Sequence, residues 1–189
     1  MTDAIEALLD AGESFTEISV ERLAAAGGLS RSTFYVYFED KSDLLETLTE
    51  HVIDGVLESG KGWWELPPTL ARADVERALR AVLEHYRPHL LLMRARLEAH
   101  AYDEASAARF KATMATATQG IAAHITAGQA TGHIRPEIDP EPTGAWFGCM
   151  VERGLFLLNH TDTEIDVDRL SKSVADIIWN TLYAGAPAR

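Results

Sequence analysis

Gly27 and Gly28 constrain this chain more than any other pair of residues, because of what stands on either side of them. Before them, Val20, Leu23 and Ala24 recur at helical spacing behind Ser19, a residue type that caps helix starts. After them comes "LSRSTFYVYF", Leu29 to Phe38, which by propensity alone reads as a strand, with Phe34, Val36 and Phe38 alternating against Tyr35 and Tyr37. Every other segment is spaced at three and four residues, so strand-like alternation is confined to this one place. A helical reading removes the conflict. Ser30 caps a very short third helix, Ala24 is small enough to let two helices cross, and Gly28 can take the left-handed turn conformation. A two-turn helix has little surface for core contacts, so Phe34 and Phe38 anchor it together with Leu29, against their own mediocre helix propensity.

What remains facing outward is Arg31, Ser32, Thr33, Tyr35 and Tyr37. Hydroxyls and a guanidinium donate to phosphates and base edges, and a tyrosine can span a thymine methyl and a phosphate oxygen. Lys41 falls at the start of the fourth helix, where backbone amides and the positive end of the dipole also favour a phosphate.

The run "ISVERLAAAGGLSRSTFYVYFEDKSDLLETL" resembles the DNA-binding head of the TetR family of bacterial transcriptional regulators. The resemblance rests on the small residue and glycine turn, then Phe34, Tyr35, Val36, Tyr37, Phe38, Lys41, Leu44 and Leu45, and it covers about a quarter of the chain. "MVERGLFLLN" and "IIWNTLYAG" are similar to the last two helices of the EthR-like subgroup. The resemblance implies an all-helical homodimer with a ligand pocket in its body, repressing transcription until a small molecule binds. By position it implies Ser30, Arg31, Ser32, Thr33, Tyr35, Tyr37 and Lys41 as operator contacts, with Ser19 and Thr16 as weaker ones. The EthR-like subgroup has an asparagine near Val151 that can hydrogen-bond a ligand. Valine cannot, so that ligand chemistry does not carry over.

Apolar spacing along the rest of the chain predicts an all-α protein of about nine helices, a three-helix helix-turn-helix head on a six-helix body. The head is assigned to residues 1–45 and the body, for ligand binding and dimerisation, to 46–189. A first helix closes near Gly12, with Ala4, Leu8, Leu9 and Phe15 turned inward. Asp40 caps a long fourth helix through Leu57, which "GKGWWELPPT" is expected to break, leaving Gly60 and Gly62 in a linker. Five more are expected over about 73–86, 88–101, 104–130, 141–160 and 166–184.

The last helix carries Leu170, Val174, Ile177, Ile178, Thr181 and Leu182 on one stripe, and "GAWFGCMVERGLFLL" before it is apolar nearly all round. Such a helix must be covered on two sides, either wholly within its own subunit or in part by a symmetry mate, and because the resemblance implies a dimer these two helices are the expected interface. Tyr86, Met93, Phe110, Met114, Trp146, Met150 and Trp179 are the candidate ligand-binding residues. Opposite them "FKATMATATQGIAAH" places small residues where a filled core would use leucine, which leaves room for a hydrophobic or aromatic effector. For any single one of these side chains, ordinary core packing is the competing account.

Charge runs against the nucleic-acid reading. The chain carries a formal net charge of −12, and its first 60 residues hold thirteen Asp and Glu against Arg22, Arg31 and Lys41. Because only the docking face is desolvated, a few local cations can suffice, with modest and strongly salt-dependent affinity. A basic arm preceding the first residue of this sequence is the expected compensation. The rival reading is an all-helical small-molecule-binding dimer without DNA binding.

Other chemistries find little support. The one cysteine, Cys149, cannot form an internal disulfide, and no segment reads as a signal peptide or membrane span, so a cytoplasmic location is expected. His85 and His89 are four apart but separated by Pro88 with no third ligand near, and His51, His100 and His124 stand alone, so no metal is expected. No nucleophile with a base, catalytic carboxylate pair or phosphate loop is found, and neither enzyme activity nor a cofactor is assigned.

Overall fold

The computed structural model describes residues 1–99, 104–158 and 166–184, and all of its regular structure is helical. Nine α-helices run among the described residues: α1 Thr2–Asp10, α2 Val20–Ala26, α3 Arg31–Tyr37, α4 Lys41–Trp64, α5 Arg72–Tyr86, α6 Leu90–Ala99, α7 Glu104–Thr131, α8 Pro140–Leu158 and α9 Val167–Leu182. Pro88 does interrupt the chain between α5 and α6, but as one 3-10 turn, Arg87–His89, rather than a loop. The ends of the sixth and eighth expected helices, at 101 and 160, lie outside the described residues, as does His100.

The long fourth helix departs from expectation. Gly60 and Gly62 belong to α4 rather than to a linker, and the helix runs on through Trp63 and Trp64 before Pro67 and Pro68. The cost of a helical glycine, about 1 kcal/mol, is offset at Gly60 by what it allows. Trp63 is sealed in the core. The Trp64 indole lies where side chains at Gly60 and at Gly120 of α7 would stand, with 2.6 Å from an added Cβ at either position. Aromatic burial outweighs backbone propensity here.

Two apolar clusters fill the molecule. One gathers Ile5, Leu9, Leu23, Phe34, Leu44 and Leu45 of the head with Val82, Tyr86 and Leu92 of the helices beneath. The other joins Trp63, Leu79, Ile121, Ile125, Phe147 and Ile178. α4 contributes to both, and α1 packs on α6, so head and body share a continuous core. A further tie is the 2.7 Å contact between His89 Nδ1 and Glu6 of α1.

α7 and α8 pack along one another in the lower body. A Cβ at Gly144 would stand 2.8 Å from the Thr118 carbonyl oxygen, which is why that crossing needs glycine. α9 packs on α5, clamped by Arg72 Nε donating to Asp176 at 2.6 Å. Its apolar residues divide differently from the single expected stripe: Ser171, Ala175, Ile178 and Leu182 turn inward, while Ile177 is exposed and Leu170, Val174 and Thr181 are half-buried. The split follows from helix geometry, since a helix packed on α5 can offer its neighbour only one face.

Candidate nucleic-acid interface and ligand cavity

The turn between α2 and α3 is closed by backbone hydrogen bonds around one left-handed residue. Gly28 has φ +72°, and the Leu29 N–H donates to the Ala24 carbonyl at 2.8 Å while the Gly28 N–H donates to Ala25 at 3.0 Å. This paired arrangement is a Schellman end, which turns the chain sharply into α3. The Ser30 hydroxyl then accepts from the Thr33 N–H at 3.1 Å and fixes the first turn. Ser19 does the same for α2, accepting from the Arg22 N–H at 3.3 Å.

Phe34 is fully buried and sets the orientation of everything else on α3. Tyr35 stands edge-on to its ring at 5.5 Å, and Phe38, half-buried past the helix end, tilts against it at 5.3 Å. With Phe34 turned inward, Tyr35 is 48 % exposed, Tyr37 68 % and Val36 77 %. Arg31 and Ser32 are exposed beside them, whereas Thr33 is half-buried.

Val36 is the member of this surface that sequence reasoning missed. Its branched side chain reads as strand or core, and only its placement two residues beyond the buried Phe34 on a helix could have signalled exposure. An exposed apolar side chain on a short polar helix suits a thymine methyl.

Several polar groups of the head are already engaged. The Ser30 hydroxyl lies 2.8 Å from both the Ser32 and Thr33 hydroxyls. Thr16 pairs with Ser14 at 2.8 Å. Arg31 forms an ion pair with Glu21 of α2 and lies 5.8 Å from the Tyr35 ring centre, and Arg22 pairs with Glu13 at 2.6 Å. The Lys41 ammonium is turned back onto the loop before α2, donating to the carbonyls of Phe15 at 3.4 Å and Thr16 at 2.5 Å. The start of α4 is also less open to a phosphate than expected. Asp40 accepts from the Ser42 and Asp43 amides at 2.7 and 2.9 Å, so a carboxylate already occupies that end.

Beneath the head, a cavity of about 410 Å³ lies among α4, α5, α6, α7 and α8. Tyr86, Met93, Phe110 and Met114 line it, and Val151 does too. Trp146, Met150 and Trp179 stand elsewhere. Trp146 is 75 % exposed on α8, Met150 packs in the second apolar cluster, and Trp179 stacks on Tyr183 at 4.5 Å. Trp63, Trp64 and Phe147 line the cavity unanticipated, the two tryptophans because the segment bearing them read as a linker.

The lining carries charge as well: Glu50 and Asp54 one turn apart on α4, Arg96 on α6 and Glu152 on α8. Burial pushes the Glu152 carboxyl above the usual range, with Arg153 opposing. Below the cavity, His124 joins three helices. Its Nδ1 lies 3.0 Å from the Trp64 carbonyl at the end of α4, so that nitrogen donates, and Nε2 lies 2.6 Å from the Tyr183 hydroxyl beyond α9. Desolvation lowers the His124 pKa, so the imidazole is held neutral and Nε2 accepts from Tyr183, whose own pKa burial raises.

Among the described residues no helix is long and apolar enough to cross a membrane, and no three potential ligands converge on a metal position. The structure therefore defines an all-helical protein with a helix-turn-helix head above a cavity-bearing body. Residues 6–48 match the family described as bacterial regulatory proteins, tetR family. A stretch of 72 residues is 36 % identical to the HTH-type transcriptional regulator EthR of Mycolicibacterium smegmatis, covering 38 % of this chain and 31 % of that protein. The match thus spans under a third of the curated relative.

Over nearly the whole chain the fold is similar to two solved structures. One is the TetR family transcriptional regulator PfmR from Thermus thermophilus, with TM-score 0.70, 18 % identity, and coverage of 94 % of this chain and 96 % of that one. The other is a TetR family transcription regulator from Marinobacter aquaeolei VT8, with TM-score 0.56, 21 % identity, and coverage of 96 % and 93 %.

Proposed function

We propose that this protein is a sequence-specific, ligand-responsive DNA-binding regulator of transcription, a cytoplasmic homodimer that represses from a palindromic operator until a small molecule enters the cavity. Residues 1–45 form the DNA-binding unit and 46–189 the ligand-binding and dimerisation unit. The observation that carries this reading is α3 itself, a two-turn helix with one aromatic sealed beneath it and Arg31, Ser32, Tyr35, Val36 and Tyr37 turned to solvent. No packing reason accounts for so many exposed non-charged side chains in one short element, whereas a major groove offers methyls, acceptors and phosphates to match them.

The outer faces of α8 and α9 support the dimer. Trp146, Cys149, Arg153 and Leu157 follow one another at helical spacing on the exposed side of α8, and Ile177 is exposed on α9. An exposed tryptophan in an apolar helix is the kind of residue that anchors an interface. Two heads held symmetrically can then present α3 helices to successive major grooves about one helical turn apart.

Ligand response follows from α4. Its first turns carry the head core and its last turns, with Trp63 and Trp64, wall the cavity. A ligand that binds one arrangement of α4 better than another shifts the spacing of the two α3 helices by no more than its differential affinity allows.

The test is selection from a random duplex library by the intact chain at low and moderate salt. A palindromic sequence should be enriched, and its complex should weaken on mutation of either half-site. Ligand binding without any enriched duplex would instead favour a small-molecule-binding dimer that lacks DNA binding.

A further inference from the structure

We propose that the cavity selects a lipophilic monocation, an aromatic or alkyl body carrying one positive charge, over a neutral or anionic molecule of the same shape. The inference rests on the reading of the body as a ligand-binding unit and adds the charge of what it binds. Its walls supply the first half of the chemistry. Trp63, Trp64, Tyr86, Phe110 and Phe147 all line the space, and the faces of such rings attract cations.

The second half is the balance of charge. Among the described lining residues three are carboxylates, Glu50, Asp54 and Glu152, against one guanidinium, Arg96. Glu50 and Asp54 are solvent-exposed. Glu152 is half-buried deeper on α8, and no hydrogen bond or ion pair to its carboxylate occurs among the described residues. Arg153, its neighbour in sequence, is exposed.

A half-buried carboxylate depends on the water that still reaches it. A neutral ligand filling the cavity would strip that water and leave the charge only the exposed Arg153 beside it, and an anion would add repulsion in a low-dielectric space. A cation replaces the lost water with a partner. The apolar lining takes its body, and the space of about 410 Å³ lies in the range of small-molecule pockets, roughly 300–1,000 Å³.

Three probes test this on the full chain: tetraphenylphosphonium, the shape-matched anion tetraphenylborate, and neutral N-phenyl-1-naphthylamine as a fluorescent reporter of apolar binding. Tetraphenylphosphonium should displace the naphthylamine with an affinity at least tenfold above that of tetraphenylborate. Glu152→Gln should cut the cation's affinity at least fivefold while the naphthylamine still binds. Glu58→Gln, on an exposed residue of α4 outside the lining, should change neither, which separates the site from general attraction to an acidic surface.

If the naphthylamine binds but the cation fails to displace it, or if Glu152→Gln leaves cation affinity intact, the charge assignment is wrong and the ligand-binding body stands. If none of the three probes binds, the body is not a ligand-binding unit and both readings fall.

Discussion

Arg31 is the one guanidinium on α3, and its ion pair with Glu21 holds it against the neighbouring helix while no duplex is bound. Both side chains are more than half exposed, so the pair is weak, but it must open or share its donors when a phosphate or guanine arrives. Removing the competing carboxylate also removes a negative charge beside the docking face. Glu21→Gln should therefore raise affinity for the selected duplex about two- to fivefold, measured by fluorescence anisotropy at fixed salt. A fall in affinity would mean that Glu21 positions Arg31 rather than restraining it.

His124 gives a second prediction at this scale. Its folded pKa lies below the unfolded value of about 6.5, so the unfolded chain takes up the proton more readily as pH falls. The stability that neutral His124 contributes is thus whole above about pH 6.5 and is lost as pH drops toward the depressed folded value. Thermal midpoints between pH 7.5 and 5 should decline more steeply for the natural chain than for His124→Gln. Parallel slopes would remove His124 from the account of acid sensitivity.

Among the elements, the α7–α8 crossing is the least tolerant of added volume. Gly144 faces a backbone carbonyl, which cannot swing aside as a side-chain end can, so Gly144→Ala should separate the two helices. A loss of about 1–3 kcal/mol in denaturant unfolding is expected, where an exposed helical glycine would gain stability from the same change.

Legibility also differed by element. α2, the turn and α3 could be read from residues 18–38, because capping serines, a left-handed glycine and buried aromatics are local signals. The end of α4 could not. Gly60 and Gly62 followed by two prolines look like a linker, and only Gly120, sixty residues away, shows that Trp64 needs a helix there. The cavity was half legible for the same reason. Tyr86, Met93, Phe110 and Met114 could be picked as large residues opposite small ones, but spacing alone did not reveal that Trp146 points to solvent or that Trp179 stacks on Tyr183. Lys41 was legible as a cation at a helix start, while its donation to carbonyls of the loop before α2 depends on how that loop folds back.

For the whole molecule, the acidic head and the DNA-binding proposal are reconciled by where the charges lie. Arg22 and Arg31 are paired with carboxylates and Lys41 with carbonyls, so few cations can meet phosphates and recognition must lean on the exposed tyrosines, valine and serine of α3. Two weak heads then depend on being joined. Trp146→Glu, which places a charge on the exposed face of α8, should turn a dimer into a monomer in sedimentation analysis and weaken operator binding by about tenfold or more. A Trp146→Glu protein that remains dimeric would move the interface elsewhere.

The most direct measurement is the affinity of a Tyr35→Ala protein for the duplex that the intact chain selects, compared at one salt concentration with the unaltered protein. Tyr35 is half exposed, so its removal should leave the thermal midpoint nearly unchanged. A loss of at least about tenfold in affinity is expected from deleting a base-reading side chain in both heads. Equal affinity of the two proteins would contradict the assignment of α3 as the surface that meets DNA.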